Sequence, residues 1–210
     1  QRLLQAEFWR KLLRGGVEVK MSKRSGEFIT MREVLDEVGA DAAKFFFLMR
    51  DSNSHLDFDL ALATERSADN PVYYVQYAHA RIASLWRVAA SRGIACPSAA
   101  DADLTVLTDP DELGLIRKLS QYPEVLEASA VAFEPHRLTY YLQQLAAQLH
   151  TFYNKHRILP PASGQESSEA PVEEDVTPAV TAARLVLMRA VQQVIKNGLA
   201  VLGISAPDQM

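Results

Sequence analysis

From Pro71 onward, apolar residues recur at helical spacing. Between Pro71 and Arg92 the set Val72, Val75, Ile82, Leu85, Trp86 and Ala89 falls on one stripe. Leu138, Leu142, Leu145, Leu149 and Phe152 form a second stripe over 135–159, and Ala183, Leu187, Ala190, Val191, Val194 and Ile195 a third over 178–202. Shorter helices are expected at 110–121 and 123–133. The starts are marked by Asn70-Pro71, Asp109-Pro110, Glu134-Pro135 and Thr177-Pro178. Proline at the first helical position gives up only a donor that would be orphaned anyway, and Asn, Asp or Thr before it can cap; Glu134 is the poorer cap of the four. Gly203 stands where a helix-terminating glycine belongs, with Ile204 beyond it. This pattern predicts a mainly α protein, with an antiparallel helical bundle over 71–210. Residues 160–177, rich in Pro, Ser, Gly and Glu, cannot bury an apolar face and read as a flexible loop.

Upstream the pattern is mixed, which predicts a small α/β segment before the bundle. Val17-Glu18-Val19 alternates, and Glu27-Phe28-Ile29 suits a short extended stretch. Thr30-Met31-Arg32-Glu33 spells a capping box for a helix ending at Gly39, and Asp41 can cap the next helix, through Phe45, Phe46, Phe47 and Leu48. His55–Leu60 alternates like a strand. Its Asp57 and Asp59 share one face, where solvent or a helix N-terminus is the expected partner. Residues 2–13 are helix-compatible through Leu4, Phe8 and Leu12, although no clear cap precedes them.

Of the 210 residues, 48% are hydrophobic and 23% charged, the balance of an ordinary globular protein with enough chain for a sizeable core. No apolar run approaches the length of a membrane-spanning helix, and Arg and Lys follow the first residues where a signal peptide would be apolar. The single Cys96 cannot form an internal disulfide and suits a reducing, cytoplasmic setting. The chain starts at Gln1 rather than Met, which fits a piece of a longer protein. The net charge of −4 hides an uneven distribution. Residues 101–112 and 163–176 each carry five acids and no base; without those ten acids the balance becomes +6, a body compatible with RNA.

The most informative stretch is Gly15-Gly16-Val17-Glu18-Val19-Lys20-Met21-Ser22-Lys23-Arg24-Ser25-Gly26. Three cations within five residues beside glycines can bring ammonium groups to a polyphosphate and withdraw afterwards. It is not a Walker A loop, and no dinucleotide-binding glycine motif occurs.

As a motif, Lys20-Met21-Ser22-Lys23 resembles the mobile lysine loop of class I aminoacyl-tRNA synthetases. Glu37-Val38-Gly39, Asp41-Ala42, Phe45-Phe46-Phe47-Leu48, His55-Leu56-Asp57-Phe58-Asp59-Leu60 and the run from Asn70 to Arg81 narrow the resemblance to bacterial arginyl-tRNA synthetase. Asn197-Gly198-Leu199, Leu202-Gly203-Ile204 and Pro207–Met210 are similar to that family's last helix and tail. The resemblance runs from about Leu12 to Met210. It implies the C-terminal portion of the enzyme: a lysine-loop segment (1–30) at the end of the catalytic domain, a stem-contact segment (31–70), and an anticodon-binding bundle (71–210). The family joins arginine to tRNA-Arg through arginyl-adenylate, with ATP as substrate accompanied by Mg. Its His-Ile-Gly-His type motif is absent here, so this piece alone is expected to be inactive.

The resemblance implies that Lys23 holds the ATP β- and γ-phosphates with Lys20 assisting, Met21 and Ser22 completing the ATP contact. It places Tyr153 and Met210 beside the anticodon loop, and Arg157 is expected with them as a tRNA-binding residue. Tyr73, Tyr74 and Tyr77, with Trp86, are better read as packing residues of an apolar-rich helix; His79 and Arg81 are read as ties between helices. No metal site is expected, and a monomer is. Two other readings stay open: a free-standing RNA-binding module, which leaves the lysine loop unexplained, and another class I synthetase such as the cysteinyl enzyme, which the Tyr74–Arg81 run disfavours.

Overall fold

The computed structural model describes the backbone of residues 9–19, 29–51, 54, 56–161 and 176–210. The loop Lys20–Lys23, the stretch Glu27-Phe28 and most of the expected 160–177 loop lie outside the described residues.

A three-stranded sheet begins the fold. Strand β1 (Trp9–Arg14) runs antiparallel to β2 (Val17–Glu18) and parallel to β3 (Leu56–Asp59), giving the order β2-β1-β3. This corrects the expectation of helix over 2–13, whose described part is strand. The Gly15-Gly16 turn pairs Arg14 with Val17, and both glycines have positive φ (60° and 79°), as a tight two-residue hairpin requires. On the other side Leu12 lies opposite Phe58 and Leu13 opposite Asp59. Leu12 and Phe58 are thereby buried side by side.

Between β1 and β3 stand α1 (Met31–Val38) and α2 (Ala40–Leu48). The capping box forms as expected: Thr30 Oγ1 accepts from the Glu33 amide at 3.2 Å, and Glu33 accepts from the Thr30 amide at 2.6 Å. Gly39, at φ 80°, joins the two helices. Asp41 does not cap α2. Gly39 occupies that position without a side-chain bond, and the Asp41 carboxylate is engaged elsewhere, as described below. The short helix α3 (Leu60–Thr64) follows β3 directly.

The bundle consists of α4 (Pro71–Ser91), α5 (Pro110–Ser120), α6 (Tyr122–Ala132), α7 (His136–Lys155) and α8 (Pro178–Val201), with a 3₁₀ turn at Leu104–Val106. Asn70, Asp109 and Thr177 cap α4, α5 and α8 through their side chains, each cap worth about 1 kcal/mol. The Glu134-Pro135 start is shifted by one residue. Pro135 takes the cap position, so no side chain caps α7, and Glu134 instead pairs with Arg137. Helix α7 also ends before the expected 159. His156 turns extended, donating toward Asp111 Oδ2 at 3.2 Å beside Lys155 at 2.9 Å, and Ile158 and Leu159 are buried beyond the helix end.

One apolar core runs from Leu12 through Phe45, Val75 and Leu145 to Ile204, so sheet and bundle share it. A buried ion pair crosses it. Arg184 Nε donates to Glu112 Oε1 at 2.7 Å, with side chains only 3% and 2% exposed. Arg184 also donates to the Arg157 carbonyl at 2.7 Å, and Glu112 Oε2 accepts from the Asp109 amide at 3.0 Å. Cys96 is half-buried, as expected of a small thiol before Pro97. No helix among the described residues is long and apolar enough to cross a membrane.

Candidate functional site

Helices α4 and α7 pack together, and the polar seam between them carries the best candidate site. Arg81 of α4 reaches three residues of one α7 face. Its Nη2 donates to Asn154 Oδ1 at 2.9 Å, its Nη1 meets His150 Nδ1 at 3.2 Å, and its guanidinium carbon lies 4.1 Å from the Tyr153 ring centroid. That ring distance is a cation–π contact. The spacing 150, 153, 154 puts all three on adjacent turns, which is why one guanidinium can serve them.

The protonation of His150 follows from its partners. Its Nε2 faces the Tyr74 carbonyl at 3.4 Å, and a carbonyl can only accept. Nε2 therefore carries the hydrogen and Nδ1 is left to accept from Arg81. Burial pushes the His150 pKa down; the Tyr74 carbonyl opposes this and the Arg81 charge reinforces it. Burial pushes the Tyr153 phenol up, partly countered by Arg81 and helped by Tyr77, so its hydroxyl stays protonated at neutral pH.

Beyond this seam the aromatic surface continues. Tyr77 stacks 5.5 Å from His150, and the Tyr73 ring lies 6.1 Å from Tyr77 and nearly parallel to it. A cavity of about 410 Å³ opens here, lined by Tyr77, Arg81, Arg87, Tyr153, Gln209 and Met210. Tyr77 is 41% exposed and Met210 50% exposed, so both keep free surface. Aromatic faces, a guanidinium and a thioether around one opening can stack a planar ring, while Arg87 and Gln209 offer donors to its edge or to an adjacent anion. The volume falls within the range of small-molecule sites.

The structure thus brings together Tyr153 and Met210, two expected site residues far apart in sequence. Arg157 is not among the residues lining this cavity; its carbonyl supports the buried Arg184 instead. Lys20, Met21, Ser22 and Lys23 lie outside the described residues. Tyr77 and Arg81, read from the sequence as packing and tie residues, line the cavity as well. The available signal was the spacing Tyr73, Tyr77, Arg81, an aromatic and cationic row four residues apart. It was masked by the apolar richness of α4.

A second polar centre lies at the sheet. Asp59 Oδ1 accepts from the amides of Gly15 at 2.9 Å, Ala61 at 3.0 Å and Leu62 at 3.4 Å, and Oδ2 from Gly16 at 2.7 Å. It caps α3 and pins the β1–β2 turn at once. Burial alone would raise its pKa, but the four amide bonds outweigh this and hold it below the usual carboxylate value. Asp109, Asp111 and His156 bring three potential ligand atoms within 4.8 Å, but Lys155 already neutralises Asp111 there. That cluster is an ion-pair network between the start of α5 and the end of α7.

The family model of the DALR anticodon binding domain matches residues 75–210. Arginine–tRNA ligases from Geobacter metallireducens and Citrifermentans bemidjiense are 52% and 56% identical over 199 residues, covering 95% of this chain and 33% of their own length. The chain therefore spans about a third of the curated relatives it matches. Among solved structures, one assigned as an arginyl-tRNA synthetase from Campylobacter jejuni superposes with a TM-score of 0.75 at 31% identity, over 95% of this chain and 39% of that one. The arginyl-tRNA synthetase of Thermus thermophilus shares the fold, with a TM-score of 0.66 at 24% identity, over 95% of this chain and 34% of that one.

Proposed function

Because this chain belongs to the DALR anticodon-binding domain family, we propose that it is the tRNA-binding part of an arginine–tRNA ligase whose α4–α7 cavity receives a base of the tRNA-Arg anticodon loop. The observation that carries this reading is the convergence of Tyr77, Arg81, Tyr153 and Met210 on one opening. Single-stranded loops are read by stacking splayed bases on aromatic and guanidinium faces, and these side chains offer both. The neutral His150 supports it too. By accepting from Arg81 it fixes the guanidinium over Tyr153 without adding a competing charge.

The whole protein then uses ATP, with Mg, to form arginyl-adenylate and transfers arginine to the 3′-terminal adenosine. In this reading Lys20, Met21, Ser22 and Lys23 contact the ATP phosphates. Lys23 gains most as negative charge develops on the leaving pyrophosphate, so its contact raises kcat rather than ground-state affinity. The neighbouring strand supports such a role. Asp59 fixes the Gly15-Gly16 turn, so the segment toward Lys20 leaves from an anchored hairpin. This third of the enzyme should not aminoacylate alone, and the whole enzyme would work as a cytoplasmic monomer.

The test is arginine-dependent ATP–pyrophosphate exchange and aminoacylation of tRNA-Arg by the full-length protein. Arginine-dependent exchange with transfer to tRNA-Arg is expected. Binding of tRNA-Arg with no exchange at any arginine concentration would leave an RNA-binding module in place of a ligase.

A further inference from the structure

Past α8 the chain turns through a Schellman motif: Ile204 N–H donates to the Leu199 carbonyl at 2.9 Å and Gly203 N–H to Ala200 at 3.0 Å, with Gly203 at φ 67°. The segment Gly203–Met210 then crosses α2 and follows α4. Segments of this kind, without secondary structure of their own, are usually poorly ordered unless tied down. This one is tied at nearly every second residue. Lys44 Nζ donates to the Gly203 carbonyl at 2.6 Å, Gln76 Nε2 to Ser205 at 3.0 Å, His79 Nδ1 to Pro207 at 3.0 Å and Arg87 Nη1 to Asp208 at 3.1 Å. Asp41 completes the set, its Oδ2 accepting from the Ser205 amide at 3.1 Å, from the Ser205 hydroxyl and from Gln76 Nε2 at 3.1 Å.

Two features make this more than incidental packing. Gln76 and His79 are buried polar residues in the middle of an otherwise apolar helix face, a costly placement unless their bonds are used. Their bonds go to this segment and to Asp41. Lys44, Gln76, His79 and Arg87 each reach a main-chain carbonyl of the segment, Gln76 Nε2 also lying 3.4 Å from Ser205 Oγ, and none of these bonds engages the side chains of Gln209 and Met210. Those side chains are left to line the cavity beside Tyr77, Arg81 and Tyr153.

We propose that Asp41, Lys44, Gln76 and His79 are positioning residues that lock the 203–210 segment over α4, so that Met210 walls the base cavity before RNA arrives. The proposal rests on the reading of that cavity as a base site. Asp41 and Lys44 belong to α2, outside the bundle, so the shape of the cavity is set partly by the small segment that precedes it. A wall fixed in advance spares the ordering cost that a free segment would incur on binding.

Hydrogen–deuterium exchange of the 203–210 peptide, and the affinity of the full-length protein for an anticodon stem-loop RNA, test this together. Asp41→Ala should speed exchange in 203–210 while α7 stays protected, and weaken the RNA by about tenfold, the effect of a modest preorganisation term. Asp41→Asn retains an acceptor oxygen at the same place and should restore most of both. Lys44→Met, on an exposed side of α2, provides a second variant in case Asp41→Ala perturbs the α1–α2 corner. Unchanged exchange in both variants would overturn the clamp. Faster exchange with unchanged RNA affinity would overturn its role at the cavity, provided Tyr153→Ala weakens the same RNA. If Tyr153→Ala also binds normally, the base-site reading fails and the clamp survives only as a tether.

Discussion

The Arg81 guanidinium lies 4.1 Å above the Tyr153 ring while its two terminal nitrogens hold His150 and Asn154. One residue of α4 therefore sets the tilt of an aromatic ring on α7, and the ring is half-buried with one side toward the cavity. Replacing Tyr153 by Ala should weaken tRNA-Arg binding by about 1–3 kcal/mol, the usual worth of one base stack. Tyr153→Phe should bind almost normally. Arg81→Lys should behave as a loss, because an ammonium cannot span both partners and still cover the ring. Affinities measured by fluorescence titration with an anticodon stem-loop will check all three.

The buried Glu112–Arg184 pair makes a stability prediction. Arg184→Met leaves the Glu112 carboxylate buried without its charge partner, and should cost about 3–5 kcal/mol in chemical denaturation. Replacing both residues with apolar ones of similar volume should recover much of that loss. A single variant as stable as the wild type would show that the pair is solvated in solution.

Asp59 gives the fold an acid-sensitive joint. Its folded pKa lies below the usual value, so its contribution is present above the unfolded pKa of about 3.9 and is lost as pH falls through the folded pKa. The stability gap between wild type and Asp59→Asn should therefore be fully open at neutral pH and close on acidification below about pH 4. Urea denaturation between pH 7 and pH 3 measures it. A gap independent of pH would assign the effect to packing.

Phe133 ends α6 in the left-handed region (φ 56°, ψ 39°) with 88% of its surface exposed. A side chain there is strained and buries almost nothing in return. Phe133→Gly should be neutral or stabilising by about 1 kcal/mol in thermal denaturation, since glycine enters this conformation without steric cost. A clear loss of stability would mean that Phe133 makes a contact which its exposure does not suggest.

At the other end of the reaction, Lys23→Ala in the full-length protein should slow ATP–pyrophosphate exchange by roughly a hundredfold or more, the typical cost of one lost transition-state contact. Exchange at the wild-type rate would remove Lys23 from the ATP site.

Helix starts were legible because capping is local: Asn70, Asp109 and Thr177 each satisfy amides two or three residues away. Strand β1 was not legible, because its parallel partner β3 lies more than forty residues downstream and nothing in residues 2–13 signals that pairing. Asp41 misled for the same reason: a local cap was available, but a distant Ser205 took the carboxylate. The cavity was half legible. Tyr153 and Met210 came from the family resemblance, whereas Tyr77 and Arg81 became visible only once α4 and α7 were packed.

In the proposed function the bundle reads the anticodon loop through this cavity. Filter binding of tRNA-Arg and of an anticodon-altered version, each to the wild type and to Tyr153→Ala, tests it most directly. The wild type should prefer tRNA-Arg, and Tyr153→Ala should lose most of this preference. Equal binding of the two RNAs by the wild type would contradict it and leave the bundle a contact to the stem alone.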